Sequence, residues 1–153
     1  ELETRLLKQN SLLYVGLDPS IEIIPKTILS KEKPIFEFNK VIIGSTNQYV
    51  CAFKPQVAYY NVTGAESELE MIIEYIQDKY PDIPVILDAK RIDIGSTAEM
   101  HAIEAFDRYK VDAVTVNPYL GFDSIKPFTD RKNKGVIVFT RHLIIVLLNS
   151  KMR

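Results

Sequence analysis

Short apolar runs alternate with longer amphipathic stretches along the chain, the pattern of β and α elements in turn. The runs fall at Leu12 to Leu17, Val50 to Phe53, Pro84 to Leu87, Ala113 to Val116 and Val136 to Phe139, and each reads as a strand. Between them the spacing predicts helices over Phe36 to Gln48, Ala65 to Lys79, Ser96 to Tyr109 and roughly Asp123 to Asp130. Ser96 and Glu99 have the S-x-x-E spacing of a capping box, which places a helix start just after Asp93 and Gly95. Strands that are apolar along nearly their whole length, each followed by a helix, pair in parallel beneath covering helices. The expected class is α/β. A doubly wound sheet and a (β/α) barrel both fit, and no G-x-G-x-x-G follows the first strand to favour a dinucleotide site.

Composition narrows the function classes. The 153 residues, 46% hydrophobic and 25% charged, suit one soluble globular domain. A balance of 19 Lys+Arg against 20 Asp+Glu removes the electrostatic case for nucleic acid or an anionic membrane as partner. The one cysteine, Cys51, excludes an intrachain disulfide framework and fits a reducing compartment. Leu143 to Leu148 is far too short to cross a bilayer, and Glu1 to Asn10 is a charged amphipathic segment unlike a signal peptide. A cytoplasmic protein is expected.

The polar residues Asp18, Lys54, Asp88, Lys90 and Asn117 sit at or just beyond the C-terminal ends of the apolar runs. In a barrel, catalytic groups converge on that rim. Asp88 and Lys90 are two apart, so one face of a strand carries both. Semi-buried charges are costly unless paired, so a structural ion pair capping the core is the alternative. Asp18-Pro19 and Lys54-Pro55 would equally serve as turn openers or strand ends. Read as chemistry, Asp88, and Asp93 if it reaches the same place, favour the charged form of Lys90. That argues against a Schiff-base lysine and for a proton donor or electrostatic stabiliser. Three aspartates could hold Mg²⁺, but a lysine among them would compete, so a metal is the second choice. Tyr14, Phe53, Tyr59, Tyr60 and Phe122 read as packing residues, His101 as a surface or helix-packing residue, and Arg91 as a solvated rim charge.

The segment Asp88-Ala89-Lys90-Arg91-Ile92-Asp93-Ile94, followed by Gly95-Ser96-Thr97-Ala98, resembles the D-x-K-x-x-D-I signature of the orotidine 5′-phosphate decarboxylase family. Gly16-Leu17-Asp18-Pro19, Phe53-Lys54-Pro55 and Val116-Asn117-Pro118-Tyr119-Leu120-Gly121 resemble, in order, its longer bacterial-type branch. The resemblance implies a (β/α) barrel of TIM type. It also implies decarboxylation of orotidine 5′-monophosphate (OMP) to UMP in pyrimidine biosynthesis, with no cofactor and no metal. By resemblance, Asp88 presses on the substrate carboxylate and Lys90 delivers a proton to C6, in a catalytic array with Lys54 and Asp93. Asp18 and Lys54 match groups that hold the ribose hydroxyls, and Asn117 is expected at the substrate as well. Asp93, Ile94 and Thr97 match residues that reach into the neighbouring subunit's site in a homodimer. Related sugar-phosphate decarboxylases and aldolases share D-x-K-x-x-D, and a metal-dependent enzyme of that kind is an alternative.

Two departures from the family carry expectations. Ile92 stands where the family usually has glycine, so a β-branched residue is expected to meet a conformation or close approach suited to Gly. Five expected strands against the family's eight make the barrel incomplete, about five of eight β/α units, with residues 1–141 as the N-terminal part of one barrel domain. After Arg141 the family continues Thr-Ser-Asn; a single-base deletion in such codons reads His-Leu-Ile, as at His142-Leu143-Ile144. Residues 142–153 are therefore expected to be a non-native tail, from a frameshift or truncation, without the family's late phosphate-gripping Gln and Arg. A non-catalytic truncated product, prone to self-association through an exposed edge and inner face, is the reading of a different class.

Overall fold

The computed structural model describes residues 2–139; the tail expected at 142–153, with Arg141 and His142, lies outside them. In chain order the elements are α1 (Leu2–Gln9), β1 (Tyr14–Leu17), α2 (Lys26–Leu29), α3 (Pro34–Thr46), β2 (Ala52–Pro55), α4 (Val57–Asn61) and α5 (Glu66–Lys79). They continue with β3 (Ile86–Arg91), α6 (Gly95–Ile103) and its π-helical extension Glu104–Arg108, β4 (Ala113–Val116), α7 (Phe122–Thr129) and β5 (Gly135–Val138). All five expected strands and four expected helices are present with ends shifted by a few residues, while α1, α2 and α4 add to them.

Strand order decides between the two α/β architectures. β1 and β2 pair in parallel from Tyr14 opposite Ala52 to Leu17 opposite Pro55. Parallel bridges from Phe53 to Val85 and from Gln56 to Asp88 join β2 to β3, and β3, β4 and β5 continue in parallel. The strands therefore lie side by side in chain order. A doubly wound sheet reverses its order at a switch point, and none of the crossovers among the described strands does so. The sheet is an arc of a (β/α) barrel wall.

Alternation along the strands sorts residues between its two faces. Leu17, Phe53, Leu87, Val114 and Val116 join Ile43, Leu69, Ile72, Ile73 and Ile76 of the covering helices in the main core. On the opposite face, Ala52 and Ile86 pack with Leu6 and Ala113 at the N-terminal end. Helix α1 closes that end: Arg5, 8% exposed, donates to the Val50 and Asn47 carbonyls. The inner face thus begins apolar, at Ala52, Ile86 and Ala113, and turns charged at Lys54 and Asp88 towards the strands' C-terminal ends.

Two buried polar links fix the helices to this wall. Glu68 of α5 accepts the Phe36 N–H at 2.8 Å, satisfying a first-turn donor of α3 from another element. Tyr60, fully buried, donates to the Leu17 carbonyl at 3.2 Å and accepts from the Asn39 amide at 3.0 Å. It is more than the packing residue expected from sequence, because its hydroxyl ties α3 and α4 to the end of β1. Tyr60→Phe removes the acceptor of the buried Asn39 amide and leaves the Leu17 carbonyl to the Gln56 N–H at 3.5 Å, and should cost about 1–3 kcal/mol in urea unfolding. A loss below about 0.5 kcal/mol would mean that other partners replace the hydroxyl.

Two local expectations fail. The Ser96/Glu99 capping box does not form: Ile94, in extended conformation, is the N-cap, so Ser96 already lies inside the first turn. Glu99 instead accepts from Arg131 at 2.7 Å. Ile92 takes no left-handed conformation; among the described residues around it, Lys90 (φ 47°) and Gly95 (φ 55°) do. Ile92 is 37% exposed at the rim, so its branched side chain meets no closed space.

Candidate active site

The charged end of the inner face is built from consecutive strand ends. Lys54 Nζ donates to Asp88 Oδ2 at 2.7 Å and Lys90 Nζ to Asp88 Oδ1 at 2.6 Å, so one carboxylate bridges two ammonium groups. The Asp88 side chain is 7% exposed, against 20% for Lys54 and 37% for Lys90. The anion is buried while Lys90 faces the opening. Burial pushes the Asp88 carboxyl up, but hydrogen bonds from Lys54, Lys90 and Thr115 outweigh it and hold the group below the usual carboxylate range. Asp88 is therefore an anion at neutral pH. The Phe139 ring stands 5.7 Å from Lys90 Nζ, a cation–π distance.

Asp18 lies beside this array at the exposed end of β1. Its carboxylate folds over Gly16, where an added Cβ would sit 3.4 Å from Oδ2. Desolvation raises its pKa most, with Lys54 pulling it down, Asp88 pushing it up and Lys90 pulling it down, so Asp18 shares the field of the array. Asn117 donates from Nδ2 to the Lys90 carbonyl at 3.0 Å, while its Oδ1 is buried without a partner among the described residues.

Asp93, Ile94 and Thr97 do not join Asp88 and Lys90 within this chain. Asp93 accepts the N–H of Ile94, and Ile94 and Thr97 are exposed on the rim beside the array. Arg91, expected as a solvated charge, is half-buried and makes a forked pair with Glu104 at 2.6 to 3.1 Å. It fastens β3 to the helical layer.

Two residues of the array escape a reading of strand ends alone. Thr115, 3% exposed, donates to Asp88 Oδ1 at 2.9 Å, and Gln56 Nε2 lies 3.5 Å from Asp88 Oδ2. The available signal was alternation: Thr115 falls two before Asn117, and Gln56 two after Lys54.

A lysine–aspartate–lysine array at the C-terminal rim of a parallel barrel wall suits the stabilisation and protonation of a developing carbanion. The family model described as orotidine 5′-phosphate decarboxylase / HUMPS family matches residues 11–153. The chain belongs to this family. It is 54% identical over 143 residues to the orotidine 5′-phosphate decarboxylase of Cellvibrio japonicus, covering 92% of this chain and 52% of that relative. The corresponding figures for the Cupriavidus metallidurans enzyme are 52% identity over 141 residues, 92% and 52%. The chain thus spans about half the length of the curated relatives it matches. Among solved structures, Leishmania donovani OMP decarboxylase superposes with a TM-score of 0.77 at 35% identity, covering 94% of this chain and 55% of that one. Among the described residues no helix is long and apolar enough to cross a membrane.

Proposed function

We propose that this chain carries the lysine–aspartate array of an orotidine 5′-phosphate decarboxylase acting in the cytoplasm on the pyrimidine pathway. The observation that carries the reading is the single buried Asp88 carboxylate held between Lys54 and Lys90. In the reaction, the bond from C6 of the pyrimidine to the carboxylate breaks and its electron pair remains on C6. The Lys90 ammonium stabilises that charge and delivers its proton to C6 as CO₂ departs; solvent then restores the proton to the amine. Asp88, an anion fixed next to Lys90, lies against the substrate carboxylate. Asp18 and Lys54 hold the ribose hydroxyls, and the Oδ1 of Asn117, buried without a partner among the described residues, is an acceptor for substrate.

The active form is a homodimer in which Asp93, Ile94 and Thr97 of each subunit complete the other's site. Supporting this, Ile94 (63% exposed) and Leu120 (52%) line a depression on the rim together with the charged Glu99, Asp123, Lys126 and Asp130. Such a rim suits a protein partner.

The test is the loss of OMP absorbance with EDTA present, followed on the protein that carries this chain. Turnover undiminished by the chelator is the expected result. No turnover from folded protein, or turnover abolished by EDTA, would overturn the reading, the latter in favour of a metal-dependent sugar-phosphate enzyme.

A further inference from the structure

We propose that Thr115, on the neighbouring strand, is a positioning residue that sets the backbone shape from which Lys90 and Asp88 act. This rests on the decarboxylase reading above for its catalytic consequence, but not for its geometry.

The β3–β4 ladder runs in register at Ile86 opposite Ala113 and Leu87 opposite Val114, and resumes with Arg91 opposite Val116. Asp88, Ala89 and Lys90 therefore stand against the single residue Thr115. Surplus residues on one strand form a bulge, which breaks the ladder and re-aims a side chain. Here Lys90 enters the left-handed region at φ 47°, a conformation L-residues avoid. A bulge also strands backbone donors, and buried N–H groups need acceptors.

Thr115 supplies what the bulge lacks. Its hydroxyl oxygen accepts the N–H of Ala89 at 3.0 Å and that of Lys90 at 2.9 Å, and its proton goes to Asp88 Oδ1 at 2.9 Å. One buried hydroxyl thus meets two of the bulge's three backbone donors and the carboxylate that Lys90 grips. Asn117 holds the following peptide unit through the Lys90 carbonyl. The Thr115 oxygen is thus the acceptor that holds both N–H groups in the left-handed turn rather than in a regular strand. A regular strand would carry the Lys90 ammonium away from its present place.

The experiment uses Thr115→Val, which keeps the shape and removes the hydroxyl, and Thr115→Ser, which restores it. Amide exchange by NMR should find Ala89 and Lys90 N–H protected in the parent and in the serine variant, and less protected by about tenfold or more in the valine variant. The Asp88 carboxyl carbon should titrate higher in the valine variant, since one bond to the charged form is gone. In the decarboxylation assay the valine variant should lose about 10- to 100-fold in kcat with little change in KM, and serine should recover most of it. Fast exchange of both amides in the parent protein overturns the proposal whether or not the valine variant folds. So does unchanged kcat in a folded valine variant of an active parent. A parent without decarboxylase activity refutes the functional reading alone, and the exchange and titration measurements still decide the role of Thr115.

Discussion

Asp88→Asn should destabilise the fold by about 2–4 kcal/mol at neutral pH in urea unfolding, more than other substitutions in the array. The substitution preserves shape and removes the negative charge between two ammonium groups 2.7 and 2.6 Å away. An asparagine can offer its carbonyl to one lysine, but its amide nitrogen then faces the other. Lys90 keeps access to water, which places the cost below that of a fully buried unpaired charge. The pH dependence has a definite sign. A carboxyl whose folded pKa is depressed adds stability above its unfolded value, near 4, and that stability disappears as the pH falls through the lower folded value. The parent should therefore lose stability below about pH 4 more steeply than the asparagine variant. A cost under about 1 kcal/mol with no difference in acid sensitivity would put the array in the class of solvated surface pairs.

The part of this site legible in the sequence is the part written into single strand ends. Asp88 and Lys90 announce themselves because they emerge from an apolar run that has no reason to carry charge. Lys54 and Asp18 do so by standing at equivalent ends of earlier runs. The α/β class and the strands follow from the same apolar runs, while the choice of barrel over doubly wound sheet needed the strand order. What stays hidden depends on register. Alternation alone places Asp88 and Lys90 on one face of a regular strand, and nothing in their spacing reveals that Lys90 reaches Asp88 from a left-handed bulge. Thr115 sits in a strand that reads as apolar, and its importance follows from which residues of β3 it opposes.

Charge is also hard to place from sequence where burial depends on a distant element. Arg91 looks solvated until α6 and its extension bring Glu104 against it. Arg5 lies in a segment whose charges suggest surface, yet it is buried because the carbonyls of Asn47 and Val50 await a donor beneath α1. The capping-box motif failed for a related reason. Its spacing is necessary but the helix begins at Gly95, two residues too early for Ser96 to serve as the cap, and Glu99 pairs with Arg131 instead.

Lys90→Ala should lower turnover of OMP by about 10³-fold or more while, unlike Asp88→Asn, leaving stability near that of the parent. Removing a proton donor from the reacting centre costs about 10²- to 10⁴-fold, and removing a preorganised positive group costs about 10²- to 10³-fold. The two roles fall on one ammonium at one stage of the reaction, so the losses are not multiplied in full. Stability should change little, because Asp88 keeps its bonds to Lys54 and Thr115, and the Lys90 side chain is the most exposed of the array. Lys90→Arg separates charge from proton delivery: the guanidinium remains cationic but is a far poorer acid at neutral pH. Arginine should therefore recover at most a small part of the loss. Activity in the alanine variant within tenfold of the parent would remove Lys90 from the chemistry. The bridge from Lys54 through Asp88 to Lys90 would then be the structural ion pair that the strand-end charges also allowed.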